Sequence, residues 1–226
     1  MRLGAATLLL IGVACQSSNA PDPLAGSRQA IVVVTGDTSA TAGTLQRYER
    51  DGSAGPWRAV GGRVDVVVGR NGLAPEGEKR EGDGRAPGGI YSLGTAFGFD
   101  DRAALRVPYR QLRSTAECVD DTASRYYNQI VDRDAVPRAD WSSSEKMRTI
   151  DQYRWGMVVD YNASRSPKRG SCIFLHVWSG PSSTTAGCTA MRQDDLETLL
   201  RWLDPSANPR LVQFTRAAYA QLRGMP

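Results

Sequence analysis

The sequence predicts a mostly β domain carrying one amphipathic helix, and three observations predict it. Val-rich runs recur, "AIVVVT" at 30–35 and "VDVVVGR" at 64–70, separated by the turn-forming clusters "DTSATAG" and "DGSAGP". One stretch, "DDLETLLRWLDP", sets Leu196, Leu199, Leu200 and Leu203 on a single helical face. A chain of 226 residues with 41% hydrophobic and 23% charged residues matches one globular domain, large enough to bury a core without many cross-links.

The elements follow in chain order. Met1 and Arg2 precede "LGAATLLLIGVA", an apolar run too short to span a bilayer but right for the centre of an export signal, placed at 1–20. The run ends at Cys15 in "IGVAC", which resembles a lipoprotein signal with Cys15 as the lipid-modified residue, although Gly12 departs from the usual pattern. Cleavage after Ala20 is the alternative, with Pro21 a poor residue beyond the cut. Residues 21–29 read as a flexible tether and 30–226 as the domain. "TLQRYERD" at 44–51 alternates as a half-buried strand does.

The Gly/Pro/charge-rich segment 72–94 reads as a mobile surface loop running into a short strand at 90–93. Between 116 and 170 the pattern is irregular, with "RYYNQIVD" and "WGMVVDYN" as candidate strands and "SSSEKMRTID" as a loop or short helix. "CIFLHVW" at 172–178 is a strand bounded by Gly170 and Gly180. The helix is expected to be capped by Asp194, answered by Glu197, and to end before Pro205; "RLVQFT" and a short helix close the chain. The net charge of +4 is spread out, with no run of Lys and Arg, which argues against a nucleic-acid partner.

The chemistry-bearing residues sit at the two ends of one loop. His176 is the only histidine, and Cys188 follows it across "SGPSSTTAG". Strand alternation puts Cys172, Phe174 and His176 on one face and Ile173, Leu175 and Val177 on the other. A loop of this length can return Cys188 to the His176 ring. An imidazole beside a thiol can take its proton and later return one to a leaving amine. Gly187 permits backbone geometries that aim amide N–H groups at an oxyanion. No obvious carboxylate stands near His176 in sequence, and a backbone carbonyl is one candidate to orient it.

Plainer readings exist: a structural histidine, a buried apolar cysteine, or a Cys₃His zinc set from Cys118, Cys172, His176 and Cys188. The last lacks the tight spacing of most zinc sites. With Cys15 removed as the lipid site, three cysteines remain, and an odd count in an oxidising compartment means one pair and one free thiol.

"IFLHVW…STTAGCTAM" resembles the active-site signature of the L,D-transpeptidase family, the YkuD-type cysteine enzymes of bacterial cell-wall synthesis. "GDGRAPGGIYSLG", "YYNQIVD" and "DYN" add to the resemblance, which covers about residues 30–220. It implies a YkuD-like β-sandwich with a helix after the cysteine loop and no cofactor or metal. Cys188 is then expected to attack a peptidoglycan stem tetrapeptide, release terminal D-Ala and pass the acyl group to an amine. His176 would be the base, and Gly187 would help to stabilise the oxyanion. The resemblance also implies a Cys118–Cys172 disulfide, and substrate contacts from Trp178, Thr185, Tyr127, Asn128 and Arg192. Tyr126, Tyr153 and Trp155 are further candidates for the groove. Ala186 stands where the familiar members carry a second histidine, and Thr189, Ala190 and Met191 precede Arg192 where many have an arginine sooner. The alternatives are hydrolysis of the same bonds, as an L,D-carboxypeptidase or amidase, and a non-catalytic wall-binding lipoprotein. The expected location is the cell envelope.

Overall fold

The structure, a computed structural model, describes residues 22–53, 55–101 and 104–226. The expected export signal and the expected lipidation at Cys15 fall outside the described residues. The strands in chain order are β1 (Gln29–Thr35), β2 (Ala42–Glu49), β3 (Arg58–Val67), β4 (Leu73–Ala74), β5 (Ala86–Pro87), β6 (Gly89–Gly98) and β7 (Tyr109–Gln111). They continue as β8 (Ala116–Val119), β9 (Gln129–Asp132), β10 (Ser144–Lys146), β11 (Trp155–Val159), β12 (Phe174–Val177) and β13 (Thr189–Met191). Helix α1 (Gln193–Trp202), strand β14 (Arg210–Thr215) and helix α2 (Arg216–Tyr219) complete the chain.

Eight strands pair in the order β11-β12-β13-β3-β2-β1-β14-β6, and β6 pairs back onto β11, so the mixed sheet closes on itself. β7 joins the outside of β6. Closure removes free edges from the eight central strands. The alternation read in the sequence decides which side chains point where. Ile31 and Val33 of β1 face one core with Leu175, Met191 and Leu211, whereas Ala30 and Val32 face another with Leu24, Val212 and Phe214.

Helix α1 presses Leu196, Leu199 and Leu200, with Leu203 just past its end, into the first core against β11 and β12. Burying such a leucine stabilises the packing by roughly 1.5–3 kcal/mol. The expected Asp194 cap is not formed. Arg192 stands at the N-cap without a side-chain cap bond, and Asp194 and Asp195 lie in the first turn, where acidic groups favour the helix dipole.

Three expectations for the connecting segments are corrected. From Asp22 onward the supposed tether is packed down: Leu24 is fully buried, and the Arg50 guanidinium donates to Ser27 O at 2.7 Å and Leu24 O at 2.6 Å. The 72–94 loop is folded, with β4 and β5 paired in parallel and its own Lys79 buried. Within 125–132 only Gln129–Asp132 is strand; in "SSSEKMRTID" the expected short helix forms as one 3-10 turn at Met147–Thr149, preceded by β10.

β8, β9 and β10 form a separate three-stranded sheet. The buried Glu117 carboxylate holds it by accepting from Trp141 Nε1 and Ser144 Oγ, both at 2.7 Å, and by pairing with Arg133 and Lys146. Its residues Ala116 and Cys118 share a second apolar cluster with Phe97, Tyr153, Cys172, Phe174 and Cys188.

Candidate active site

β12 and β13 run parallel with Leu175 opposite Thr189 and His176 opposite Ala190, so the loop between them returns Cys188 beside the strand it left. The Phe174 amide donates to Cys188 Sγ at 3.3 Å, and the Cys188 thiol donates to Cys172 O at 3.4 Å. Thr185 fastens the turn: its hydroxyl donates to Cys188 O at 2.7 Å and accepts from the Gly187 amide at 3.1 Å. Gly187 passes so close to the 72–94 loop that a Cβ there would lie 2.9 Å from Arg85 O and 3.3 Å from Lys79 Nζ.

His176 comes from the same strand. Its Nδ1 lies 2.8 Å from Val177 O, and a carbonyl can only accept, so Nδ1 carries the proton and Nε2 is the basic nitrogen. The Tyr153 ring meets the imidazole edge-on with centroids 5.3 Å apart. Across the strand pair the residue opposite His176 is Gly156, where any Cβ would overlap the Phe97 ring. The glycine lets Phe97 pack edge-on against Phe174 and Tyr153, the floor under the imidazole.

Cys188 and His176 line one cavity of about 340 Å³, together with Gly187, Thr185, Trp178, Tyr153 and the charged residues Arg70, Lys79, Glu81, Asp120 and Glu145. Burial shapes its electrostatics. Desolvation pushes the Cys188 thiol far up, with the Glu145 charge adding to it, and pulls His176 down to about 4. The resting pair is therefore a neutral thiol and a neutral imidazole.

Cys118 and Cys172 form a disulfide with Cα atoms 6.1 Å apart, and Cys188 is free and buried. The bond consumes two of the four ligands in the zinc reading, which it overturns. Cys172 is not on the strand, as alternation suggested, but in a left-handed turn before it at φ 55°.

The expected substrate contacts divide. Trp178 and Thr185 line the cavity, as does Tyr153, although the Thr185 hydroxyl is taken by the loop itself. Tyr127 lies behind the wall with its hydroxyl on Glu81. Asn128 is a brace: it donates to Tyr161 O and Asn162 O and accepts from the Cys172 amide, and it borders a different cavity of about 350 Å³. Arg192 is exposed and held by Asp195 at 3.1 Å. Tyr126 packs on Trp141, and Trp155 tilts against Tyr109. Sequence reasoning missed Lys79, Glu81, Asp120 and Glu145. They arrive from distant segments, and no local pattern marks them.

A comparison with family models matches residues 29–212 to YkuD, the L,D-transpeptidase catalytic domain. The chain belongs to the YkuD family. No curated protein and no solved structure matches it. A YkuD domain built around a closed mixed sheet and a disulfide fits an extracytoplasmic cell-wall enzyme family. In this YkuD chain the signature residues His176 and Cys188 share one cavity.

Proposed function

We propose that the protein is a cysteine L,D-transpeptidase acting on peptidoglycan stem tetrapeptides, with Cys188 as nucleophile and His176 as general base. The observation that carries the reading is that the one free cysteine among the described residues lies in the same cavity as the only histidine, whose Nε2 is left basic. Because the resting pair is neutral, the thiol proton passes to His176 Nε2 as sulfur attacks the carbonyl, not before. A carbon–sulfur bond forms, His176 returns the proton to the departing D-Ala nitrogen, and a thioester remains. The Gly187 amide is held by Thr185 Oγ1, so the Cys188 amide is the first donor to the oxyanion and Gly187 serves chiefly by its close passage. Trp178 and Tyr153 flank the bound stem. An amine then takes the acyl group.

Hydrolysis of the same thioester is the second reading, favoured by Ala186 in place of the second histidine and by Arg192 lying outside the cavity. Anchoring at the envelope through a lipidated Cys15 belongs to the same proposal and is tested by labelling with a lipid precursor in cells. The enzymatic reading is tested by incubating tetrapeptide muropeptides with wild type and Cys188→Ala. Dimeric or exchanged products lost in the variant support transfer, tripeptide alone supports hydrolysis, and equal silence of both proteins contradicts the assignment.

A further inference from the structure

We propose that Glu145, with Asp120 beside it, receives the acceptor as an ammonium ion and takes a proton from it, so that the free amine attacks the Cys188 thioester. This inference rests on the acyl-enzyme reading above and names the side chains that receive and deprotonate its amine acceptor.

Three carboxylates from separate parts of the chain line the cavity that holds Cys188 and His176: Glu145 from β10, Asp120 just after β8 and Glu81 from the folded loop between β4 and β5. Glu81 Oε2 accepts from the Tyr127 and Ser171 hydroxyls, whereas the other two carboxylates are less fully partnered. Tyr153 donates its hydroxyl to Glu145 Oε2 at 2.5 Å, and no donor among the described residues reaches the other oxygen. Asp120 Oδ1 is buried without any hydrogen-bond partner. A buried carboxylate oxygen such as Asp120 Oδ1 is seldom left unpaired, since it forfeits its hydration, while the second Glu145 oxygen is open to the cavity.

The cations lining the cavity do not make up the difference. The Lys79 ammonium is bound to Asp83 at 2.7 Å and to Arg80 O at 3.1 Å, and Arg70 is exposed to solvent. A cavity with this imbalance is complementary to a positive ligand. An ammonium offers three N–H donors, enough for Glu145 and Asp120 together.

The second half-reaction needs what Glu145 offers. A primary amine is protonated at neutral pH and must lose a proton before it can attack. His176, pulled down to about 4, is a poor acceptor for it, whereas burial raises Glu145 to about 7. The ammonium gives one proton to the Glu145 carboxylate, and its nitrogen forms a bond to the thioester carbon as the carbonyl pair moves to oxygen. Collapse of that adduct breaks the carbon–sulfur bond. The second proton lost by nitrogen passes through His176 Nε2 to the departing thiolate, and the Glu145 proton goes to solvent. The groups facing Glu145 are Tyr153, Asp120, Glu81, Cys188, His176 and Lys79; its strand neighbour Lys146 is paired with Glu117.

The test measures, in the full chain, the partition of the acyl-enzyme between amine and water, with the tetrapeptide itself and cadaverine as acceptors. Glu145→Gln is expected to lower the ratio of transfer product to hydrolysis product by at least about tenfold, as loss of a charge-assisted bond implies. It should also remove the limb near pH 7 from the transfer profile. Asp120→Asn, a second variant should the first fail to fold, is expected to raise the amine KM with a smaller change in kcat. An unchanged partition and amine KM in both variants would overturn the proposal. So would a raised KM for the donor alone, which would make Glu145 a donor contact. Wild type that releases D-Ala but transfers to neither amine overturns this inference and leaves the thioester intact. Absence of any Cys188 adduct defeats the acyl-enzyme reading itself.

Discussion

At the scale of single residues, the site is defined by burial more than by charge. His176 ionises near 4 in the folded chain against 6.5 for an ordinary histidine, so the folded state resists its protonation. The sign follows: stability is unaffected above about 6.5 and declines as pH falls toward 4, by up to about 3 kcal/mol. Urea melts at pH 7 and pH 4 are expected to show that loss, and His176→Asn to lack its share of it. Cys188 behaves in the opposite sense, its thiol pushed up by desolvation. Alkylation of the resting protein by iodoacetamide is therefore expected to keep accelerating above pH 9, and a plateau at neutral pH would show a preformed ion pair instead. His176→Asn should lower turnover by roughly 10²–10⁴-fold at pH 7, as loss of a general base does. Thr185 was expected to touch substrate, yet its hydroxyl joins Cys188 O to the Gly187 amide. That use is local, and the spacing in "TAGC" carries no sign of it.

At the scale of elements, β12 performs two tasks by alternation. Leu175 and Val177 anchor it to the core beneath α1, while Phe174 and His176 face the cluster containing Cys188. The disulfide ties Cys172, two residues before this strand, to β8, closing a separation of 54 residues. The Cys118→Ser, Cys172→Ser double variant is expected to lose roughly 2–4 kcal/mol in urea unfolding. Its Cys188 should also alkylate faster, because Cys172 O, which accepts from the thiol, is no longer fixed. Gly156→Ala forces a methyl into the Phe97 ring below His176, an overpacking expected to cost about 1–3 kcal/mol by thermal melting. Most of the long strands and α1 were legible in the sequence because Val-rich runs and leucine spacing are local signals. Of the β8–β10 sheet only β9 was, inside "RYYNQIVD". Its strands are three or four residues long, and its anchor, the buried Glu117 carboxylate, is a polar residue satisfied by partners 16 to 29 positions away.

At the scale of the whole molecule, closure of the eight-stranded sheet sets β12 beside β13 and brings three remote segments over them. The His176 and Cys188 end of the cavity could be read from one loop. Its acidic wall could not, since Glu81, Asp120 and Glu145 meet only through the fold. Tyr127 and Asn128 illustrate the same limit: with Asn128 in a left-handed turn, φ 58°, both make bracing hydrogen bonds to remote segments that no local pattern announces. A thioester on Cys188 is the intermediate on which the proposed activity of this architecture depends. Its most direct test is intact-protein mass spectrometry of the full chain, quenched in acid within the first turnover on a stem tetrapeptide. A mass increase equal to the tripeptide acyl group, mapped to Cys188 and absent from Cys188→Ala, is the result predicted. D-Ala release with no adduct on Cys188, or an adduct that persists in Cys188→Ala, would contradict it.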